Sequence, residues 1–381
     1  MRAPADSDLP FMRLALREAR KGLGRTSPNP CVGAVVVKDG QVIATGYHKK
    51  AGTPHAEVHA LGRAGEAAAG ATIYVSLEPC NHTGKTPPCT KAIIASGIKR
   101  VVVGMVDPNP LVAGSGCRYL ESQGVEVAGE VLASKCRALN RPFLKHISTG
   151  LPWVVMKAGC SLDGKIAVAD GRCAFITGPE SRQEVHRLRD RLDAILVGVE
   201  TAINDDPSLT TRLKRGKGRD PVRVVLDSQL RLPENAQMLN QDSAAPTWLF
   251  CGPDAPRQRR QALEAAGAKV LVVERGPGGG LDLEQVLARL GENQLNSLLV
   301  EGGSGVHTSF LSQGLVDQVS LFLAPLFLGQ ESIPLVGALA IEDVAQGRRL
   351  QLERVKRFGS DVLLEGLFTG IGANGPKRGE G

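Results

Sequence analysis

Aromatic residues make up only 4% of this 381-residue sequence, and no apolar run approaches the length of a membrane span. The longest such run lies around residues 319–328, whereas a helix that crosses a bilayer needs about 20 apolar residues. The scarcity of aromatic side chains leaves little material for stacking nucleic-acid bases. These absences argue against a membrane protein and against a nucleic-acid-binding surface.

A secretory signal and a disulfide framework are also missing. The first ten residues include Asp6 and Asp8 and contain no apolar core of signal length. The eight cysteines have no spacing typical of a small disulfide-bonded scaffold. They are better interpreted as thiols, with one pair as candidate metal ligands, and we therefore expect a cytoplasmic protein.

The composition is that of an ordinary globular enzyme. The length predicts two or three domains, each with its own core, and 42% hydrophobic with 22% charged residues is typical of soluble proteins. The net charge of +7 is modest for this length, and no basic run exceeds a few residues. This balance favours anionic small molecules over nucleic acid as partners.

Strands and helices alternate in the first third of the chain, which predicts an α/β layer around a buried sheet. Asp39-Gly40 is typical of a tight hairpin turn. Thr53 as N-cap and Pro54 as first helical residue predict a helix start, and a further helix begins at Cys89. The predicted strands are 32–37, 42–45, 72–77 and 101–103, and the other helix is 10–22.

One histidine, one glutamate and two cysteines in this region form the strongest functional pattern. His55-Ala56-Glu57, Pro79-Cys80 and Cys89 follow the order of zinc-dependent nucleobase deaminases, in which the glutamate moves protons. The usual gap of two residues between the cysteines is opened here to eight. Three protein ligands leave a fourth position for water, as in catalytic zinc sites.

Several other interpretations of this pattern exist. The two cysteines could be buried thiols and the histidine a capped surface residue. A zincin protease would use His55 and His59, but that motif needs glutamate directly after the first histidine. A nucleic-acid (tRNA) deaminase with an appended binding domain, or a non-catalytic zinc-stabilised binding module, would contain the same ligands.

The chain changes character around residues 141–150, and a second series of alternating strands and helices follows. Glu301-Gly302-Gly303-Ser304-Gly305 lies between a predicted strand at 298–300 and a helix that runs through Leu311. A glycine-rich turn in this place presents backbone amides to a phosphate, although such turns are also common for structural reasons. It is not the Gly-x-Gly-x-x-Gly pattern of Rossmann domains.

Two segments resemble one enzyme family: Glu78–Cys89, which reads EPCNHTGKTPPC, and Asp107–Gly114, which reads DPNPLVAG. They are similar to the bifunctional pyrimidine deaminase/reductases of riboflavin biosynthesis. The resemblance continues in Lys157–Gly164, in the segment ending in Asp205-Asp206-Pro207, and in Glu301-Gly302-Gly303.

The resemblance implies an α/β protein in two parts. Residues 1–149 would form a cytidine-deaminase-like three-layer α/β/α domain that uses Zn²⁺, and 150–368 a dihydrofolate-reductase-like α/β domain that uses NADPH. The tail 369–381 is expected to be disordered. The substrate would be a phosphorylated pyrimidine, which is deaminated with release of ammonia and then reduced from ribosyl to ribityl. A homo-oligomer, dimeric or tetrameric through the reductase half, is also implied.

The resemblance also implies residue roles, with Glu57 catalytic and His55, Cys80 and Cys89 as zinc ligands. The pyrimidine and its ribose phosphate would contact Asn29, His48, His82, Lys85 and Asn109, which could equally belong to ordinary turns and solvated loops. The cofactor would contact Gly159, Phe175, Thr201, Asp205, Ser228, Gly303, Ser304, Gly305, Val306, His307, Thr308 and Ser309. The reductase substrate would contact Cys173, Arg189, Leu209, Arg212 and Glu301.

Four of these positions invite a physical comment. Arg189 and Arg212 are suited to bidentate contact with a ribose phosphate. Phe175 stands where the family frequently has Trp, and it can still pack against a cofactor. Cys173 stands where Ser is frequent, and a thiol is a poorer hydrogen-bond donor than a hydroxyl.

Overall fold

A computed structural model describes residues 1–82, 87–109, 114–169, 175–276 and 278–368. Lys85, Cys173 and the tail 369–381 lie outside the described residues. The chain divides into two compact units, Met1–Gly150 and Leu151–Gly381. In the described ranges we find no helix with the length and apolar character needed to span a membrane.

The first unit is built on a five-stranded sheet of order β2-β1-β3-β4-β5, in which β3, β4 and β5 are parallel and β1 is antiparallel to both neighbours. Its strands are β1 (Gly33–Lys38), β2 (Gln41–Tyr47), β3 (Thr72–Val75), β4 (Arg100–Val103) and β5 (Glu126–Gly129). Its helices are α1 (Leu9–Ala19), α2 (Ala56–Ala64), α3 (Cys89–Ala95), α4 (Ser115–Ser122), α5 (Ala133–Leu139) and α6 (Arg141–Thr149). Short 3-10 turns occur at Asp6–Asp8, Arg20–Gly22 and Gly65–Ala68.

Side chains that alternate along the strands fill two cores, one on each face of this sheet. Val36 and Ile73 pack in a cluster with buried residues of α2, α3 and α4. Val35 and Tyr74, one position away, pack in a separate cluster with residues of α1, α5 and α6. The predicted three-layer α/β/α arrangement is confirmed.

Helix α1 lies close against the sheet because its buried residues recur at helical spacing. Met12, Ala15, Leu16 and Ala19 are all buried, at the i, i+3, i+4 and i+7 positions of one helix face. Gly33 opens β1 at the point of closest approach, where a Cβ atom would lie 2.1 Å from the carbonyl oxygen of Ala15. Only glycine permits this contact between helix and strand.

The helix that follows the first hairpin begins later than predicted. Thr53 is not its N-cap, because the Thr53 hydroxyl donates a hydrogen bond to the Lys50 carbonyl oxygen (2.6 Å) within the preceding turn. His55, in an extended conformation, is the N-cap residue, and Glu57 lies in the first turn of α2. The helix predicted at Cys89 does begin there.

The second unit contains a nine-stranded sheet of order β11-β10-β9-β8-β12-β6-β13-β16-β15 and a two-stranded ribbon of β14 with β7. Its strands are β6 (Trp153–Cys160), β7 (Lys165–Ala167), β8 (Ala194–Gly198), β9 (Val222–Leu226), β10 (Thr247–Cys251), β11 (Ala268–Val272), β12 (Ser297–Val300), β13 (Gln318–Leu323), β14 (Ile333–Pro334), β15 (Leu350–Phe358) and β16 (Asp361–Phe368). Its helices are α7 (Pro179–Arg191), α8 (Val199–Asp205), α9 (Arg257–Ala265), α10 (Leu283–Glu292) and α11 (Ser304–Ser312), with a 3-10 turn at Val344–Gln346.

The strands from β11 to β13 in this order are parallel, β16 pairs antiparallel with β13, and β15 pairs antiparallel with β16 at the edge of the sheet. Helices α10 and α11 pack on one face of the sheet, and α8 and α9 on the other. The predicted α/β character of this half is confirmed. Because parallel strands end at the same edge, the segments after β8 and β12 come together there.

Candidate active sites

The first unit brings one histidine and two cysteines together. His55 is the N-cap of α2, Cys89 is the first residue of α3, and Cys80 lies in the segment that follows β3. Their candidate ligand atoms all lie within 4.8 Å of one another, and His55 Nδ1 is 3.2 Å from Cys89 Sγ and 3.5 Å from Cys80 Sγ. Among the described residues, this is the group whose side chains could hold a metal ion.

The donor set fits zinc, since one imidazole nitrogen and two thiolate sulfurs leave a tetrahedral ion one further position. The backbone N–H of Cys89 also donates to Cys80 Sγ (3.3 Å). The hydrogen bond from the Cys89 thiol outweighs burial and, with His55, lowers the pKa of Cys80 to about 4. The same thiol contact and burial raise the pKa of Cys89.

Glu57 lies beside this group with its carboxyl buried, only 3% of the residue being exposed. Its Oε2 atom is buried and has no hydrogen-bond partner among the described residues. Burial, with a contribution from the Cys80 charge, raises the pKa of Glu57 to about 7. A buried carboxyl oxygen that is free to accept or release a proton next to the candidate ligands is suited to proton transfer.

His48 and Asn29 are brought to the same site. The buried His48 ring stands edge-on to the His55 ring, with 5.3 Å between their centroids. His48 Nδ1 lies 3.2 Å from the Pro54 carbonyl oxygen, and its Nε2 lies 3.1 Å from Asn29 Nδ2. A neutral ring with Nδ1 as donor and Nε2 as acceptor satisfies both contacts, and burial lowers the pKa of His48 accordingly.

The other predicted contacts of the first unit are less enclosed. His82 is exposed, and Asn109 is partly buried with its backbone N–H donating to Asp107 Oδ1 (2.9 Å). Lys85 is outside the described residues. Sequence reasoning assigned no role to Glu78, although it belongs to the motif and its carboxylate proves to be buried and multiply hydrogen-bonded.

The second unit contains a cleft of about 1630 Å³ at the carboxyl edge of its parallel strands. The predicted residues that line it are Gly159, Phe175, Thr201, Asp205, Gly303, Ser304, Gly305, Val306, His307, Arg189, Leu209, Arg212 and Glu301. Ser228, Thr308 and Ser309 are not among the lining residues. Thr308 Oγ1 is engaged within the fold, since it donates to the Ser304 carbonyl oxygen (2.6 Å) and accepts from the Gly337 amide (2.7 Å).

A buried carboxylate between two cations lies inside this cleft. Glu301 follows β12, and its oxygens accept hydrogen bonds from Arg189 on α7 and from Lys157 on β6. Burial of the carboxyl opposes its ionisation, but the charges and hydrogen bonds of Arg189 and Lys157 outweigh it and lower the pKa of Glu301 to about 2. Glu301 is therefore a fixed negative charge that orients both cations.

The two arginines predicted to hold phosphate differ in their surroundings. The bidentate edge of Arg189 is engaged by Glu301, and its Nη1 donates to the Thr210 carbonyl oxygen (3.2 Å). Arg212 is exposed in the cleft, and its Nη1 donates to Ser208 Oγ (3.1 Å). A bidentate phosphate contact is therefore open to Arg212 but not to the Nε edge of Arg189.

Two further features of the cleft concern the cofactor prediction. Gly302 and Gly303 connect β12 to α11, and a Cβ atom on Gly302 would lie 2.5 Å from Val306 Cβ, so this turn needs glycine. It presents the backbone amides at the start of α11 to the cleft. Phe175 is 80% exposed, and the Arg182 guanidinium lies 4.3 Å from the centre of its ring.

The comparison with known families first defines the class of protein. Residues 5–105 match the family model described as the cytidine and deoxycytidylate deaminase zinc-binding region. Residues 152–364 match the model described as the RibD C-terminal domain. The chain is therefore an enzyme with a zinc-binding, cytidine-deaminase-like domain followed by a reductase domain.

Relatives along nearly the whole chain give the family. Riboflavin biosynthesis protein RibD of Aquifex aeolicus is 43% identical over 94% of this chain and 97% of its own length, and that of Escherichia coli is 40% identical over 93% and 97%. The structure of Acinetobacter baumannii RibD (form 1) has a TM-score of 0.87 and 39% identity, over 95% of this chain and 99% of that one. The chain belongs to the RibD family of bifunctional deaminase/reductases of riboflavin biosynthesis.

Proposed function

We propose that the chain deaminates a diaminopyrimidinone ribosyl phosphate in residues 1–149 and reduces the product in residues 150–368 with NADPH. The proposal rests on the three-ligand zinc group beside Glu57, in the same chain as a cleft lined by a glycine turn and Glu301. A Thermotoga maritima relative, 36% identical with a TM-score of 0.82 over 95% of this chain and 99% of its own, is described as a diaminohydroxyphosphoribosylaminopyrimidine deaminase/5-amino-6-(5-phosphoribosylamino)uracil reductase. Those names supply the two substrates.

In the deaminase domain His55, Cys80 and Cys89 hold Zn²⁺. When bound, zinc acts as a Lewis acid and lowers the pKa of a coordinated water to about 7. Glu57 accepts a proton from the attacking water at Oε2 and delivers it to the ring nitrogen next to the carbon under attack. Glu57 then carries the second proton of that water to the amino group, which leaves as ammonia, and the water oxygen remains on the ring as a carbonyl.

The walls of this site hold the substrate. Asn29 and His48, linked to each other and adjacent to His55, contact the pyrimidine. Asn109 contacts it from the segment after β4, while His82 and Lys85 contact the ribose phosphate. A neutral His48, whose Nδ1–H is donated to the Pro54 carbonyl oxygen, accepts the Asn29 amide at Nε2 and so holds Asn29 in place for this contact.

In the reductase domain NADPH, when bound, would supply hydride to C1 of the ribosyl chain, while the C1–O ring bond breaks and the ring oxygen takes up a proton from water to leave a ribityl chain. The amides of the Gly303–Gly305 turn bind the cofactor phosphates, and Phe175 packs against one of its rings. Arg212 binds the substrate phosphate, while Arg189 and Lys157 are held in place by Glu301. Asp205, the last residue of α8 and part of the cleft lining, is a polar group that we propose lies near the reacting carbon.

We also propose that the enzyme is cytoplasmic and forms a dimer or tetramer through its reductase half. Sedimentation equilibrium of the purified chain measures the mass of the assembly directly, and a monomer at all concentrations would refute the proposed oligomer.

The test of the proposed function is a coupled assay on the full chain with the diaminopyrimidinone substrate and NADPH. Ammonia release reports the first reaction, and loss of NADPH absorbance reports the second. Glu57→Gln is expected to abolish ammonia release and retain zinc, while it still oxidises NADPH when given the deaminated intermediate. Glu66→Gln, an exposed glutamate in the same unit, is the matched control. Ammonia release by Glu57→Gln at the wild-type rate would refute the proton-transfer role.

A further inference from the structure

Glu78 is a buried carboxylate that lies two residues before Cys80 and has no part in the reaction described above. It is 4% exposed, and its own backbone N–H donates to the Met105 carbonyl oxygen (3.0 Å). A buried carboxylate is costly unless hydrogen bonds compensate its lost hydration. The hydrogen-bond donors that compensate the lost hydration of the Glu78 carboxylate indicate its structural role.

Four backbone amides of one later segment donate to this carboxylate. Oε1 accepts from Gly116 (2.9 Å) and Cys117 (3.2 Å), which lie in the first turn of α4. Oε2 accepts from Asp107 (3.1 Å) and Gly114 (2.9 Å). Asp107 and Gly114 precede and follow Asn109 in the chain, so both flanks of Asn109 are tied to a single oxygen atom.

The link continues from Glu78 to Asn109. The Asp107 carboxylate, next to the amide that Glu78 binds, accepts the backbone N–H of Asn109 at 2.9 Å. The segment is also pressed against the motif, because a Cβ atom on Gly116 would lie 2.0 Å from the Pro79 carbonyl oxygen. Thus the short stretch that carries Cys80 and the stretch that carries Asn109 are joined through one side chain.

We infer that Glu78 is a positioning residue of the deaminase site, which fixes Asn109 for substrate binding relative to the metal-binding motif. This inference rests on the proposed function, since Asn109 is a substrate contact there. Charge-assisted hydrogen bonds to one carboxylate are stronger than neutral ones and hold Asp107, and through it the backbone of Asn109, in place before substrate arrives. Glu78 therefore acts through Asn109 and does not touch the substrate itself.

Glu78→Gln is the decisive variant, because an amide side chain places an N–H₂ group against two backbone N–H donors. In the zinc-loaded full chain we expect the KM for deamination to rise about tenfold or more, with a smaller change in kcat. Zinc content and the reduction of supplied intermediate are expected to equal those of the wild type. Glu66→Gln again serves as the exposed control.

A double-mutant cycle tests whether Glu78 acts through Asn109. If it does, Glu78→Gln adds little to the KM increase already caused by Asn109→Ala, because the positioned side chain is gone. If the double variant instead shows a KM increase equal to the product of the two single increases, the inference is overturned. An unchanged KM in Glu78→Gln would overturn it as well. Loss of zinc in Glu78→Gln would also overturn it, since Glu78 would then support the metal site or the fold.

Hydrogen exchange of the same proteins separates this inference from the proposed function. The amides of Gly116 and Cys117 are expected to exchange faster in Glu78→Gln than in the wild type, and unchanged exchange overturns the inference. A wild-type chain that releases no ammonia would instead refute the proposed function, whatever the exchange result.

Discussion

Arg189 on α7 and Glu301 after β12 form a bidentate ion pair within the second unit, with Nε–Oε1 at 2.8 Å and Nη2–Oε2 at 2.9 Å. Their side chains are only 12% and 8% exposed, and Lys157 Nζ completes the group at 3.3 Å from Glu301 Oε2. The buried cations Arg189 and Lys157 are compensated only while Glu301 carries its negative charge, because an unpaired buried charge is costly. The pair therefore links the stability of this unit to the geometry of its cleft.

Glu301→Gln is expected to destabilise the second unit by about 3–5 kcal/mol, because it leaves Arg189 and Lys157 buried without a counter-charge. Denaturant unfolding of the full chain measures this loss, and NADPH oxidation with supplied intermediate is expected to fall with it. Glu331→Gln, an exposed site on the same unit, is the control. Wild-type stability in Glu301→Gln would contradict a charge-dependent role for this carboxylate.

The pH dependence of this effect has a definite sign. The folded-state pKa of Glu301 is about 2, below its ordinary value of 4.5, so the unfolded chain binds the proton more readily. The contribution of Glu301 is therefore complete above about pH 5 and is lost as the pH falls toward 2. The stability difference between wild type and Glu301→Gln should shrink across that window, as measured by urea unfolding at a series of pH values. A difference that stayed constant down to pH 2 would refute the assignment.

His186 holds the backbone of Arg212, the residue that we propose binds the substrate phosphate in the same cleft. Its Nδ1 accepts the backbone N–H of Arg212 at 3.2 Å, and burial with the nearby arginines lowers the pKa of His186 to about 4. His186→Phe removes this acceptor and is expected to raise the reductase KM for its phosphorylated substrate about fivefold, the effect of one hydrogen bond. His186→Asn, whose Oδ1 can take the place of Nδ1, should restore most of the affinity.

The stability that a neutral His186 provides is also pH-dependent. Because its folded-state pKa of about 4 lies below its ordinary value of 6.5, the unfolded state takes up the proton first. Its contribution is present above about pH 6.5 and is lost as the pH falls to 4. Between pH 6.5 and 4 the free energy of unfolding should therefore fall more steeply for the wild type than for His186→Asn, as measured by urea unfolding. Equal slopes for the two proteins would contradict this.

The local patterns of the sequence predict the candidate zinc ligands and Glu57, but not the side chain that hydrogen-bonds the neighbouring segment in place. His55, Glu57, Cys80 and Cys89 form a motif whose chemistry predicts their proximity. The structure brings the three ligands together, and the charges of Cys80 and His55 act on the buried Glu57 carboxyl. The role of Glu78 could not be predicted, because its partners are backbone amides more than 25 residues away and amides have no sequence signature. Thr53 misled the prediction of the helix start because a threonine hydroxyl serves a turn as well as a cap.

In the second unit the alternation of elements is predictable, whereas the pairing of side chains across the cleft is not. Arg189 has the chemistry of a phosphate ligand, but only the fold places Glu301 against its guanidinium. The turn at Gly302–Gly303 was identifiable from glycine content next to a buried strand. The C-terminal hairpin of β15 and β16 was missed, since many residues of β15 are exposed and lack a clear apolar alternation.

Removal of the metal should separate the two activities. Dialysis against a chelator is expected to abolish ammonia release, while NADPH oxidation with the deaminated intermediate persists, because the cleft of the second unit contains no member of the zinc group. Added Zn²⁺ should restore ammonia release. Cys80→Ala should lower zinc content at least tenfold through loss of one ligand, whereas Cys117→Ala, at a buried cysteine of the same unit outside the group, should retain it. Equal zinc content in both cysteine variants would refute the ligand assignment.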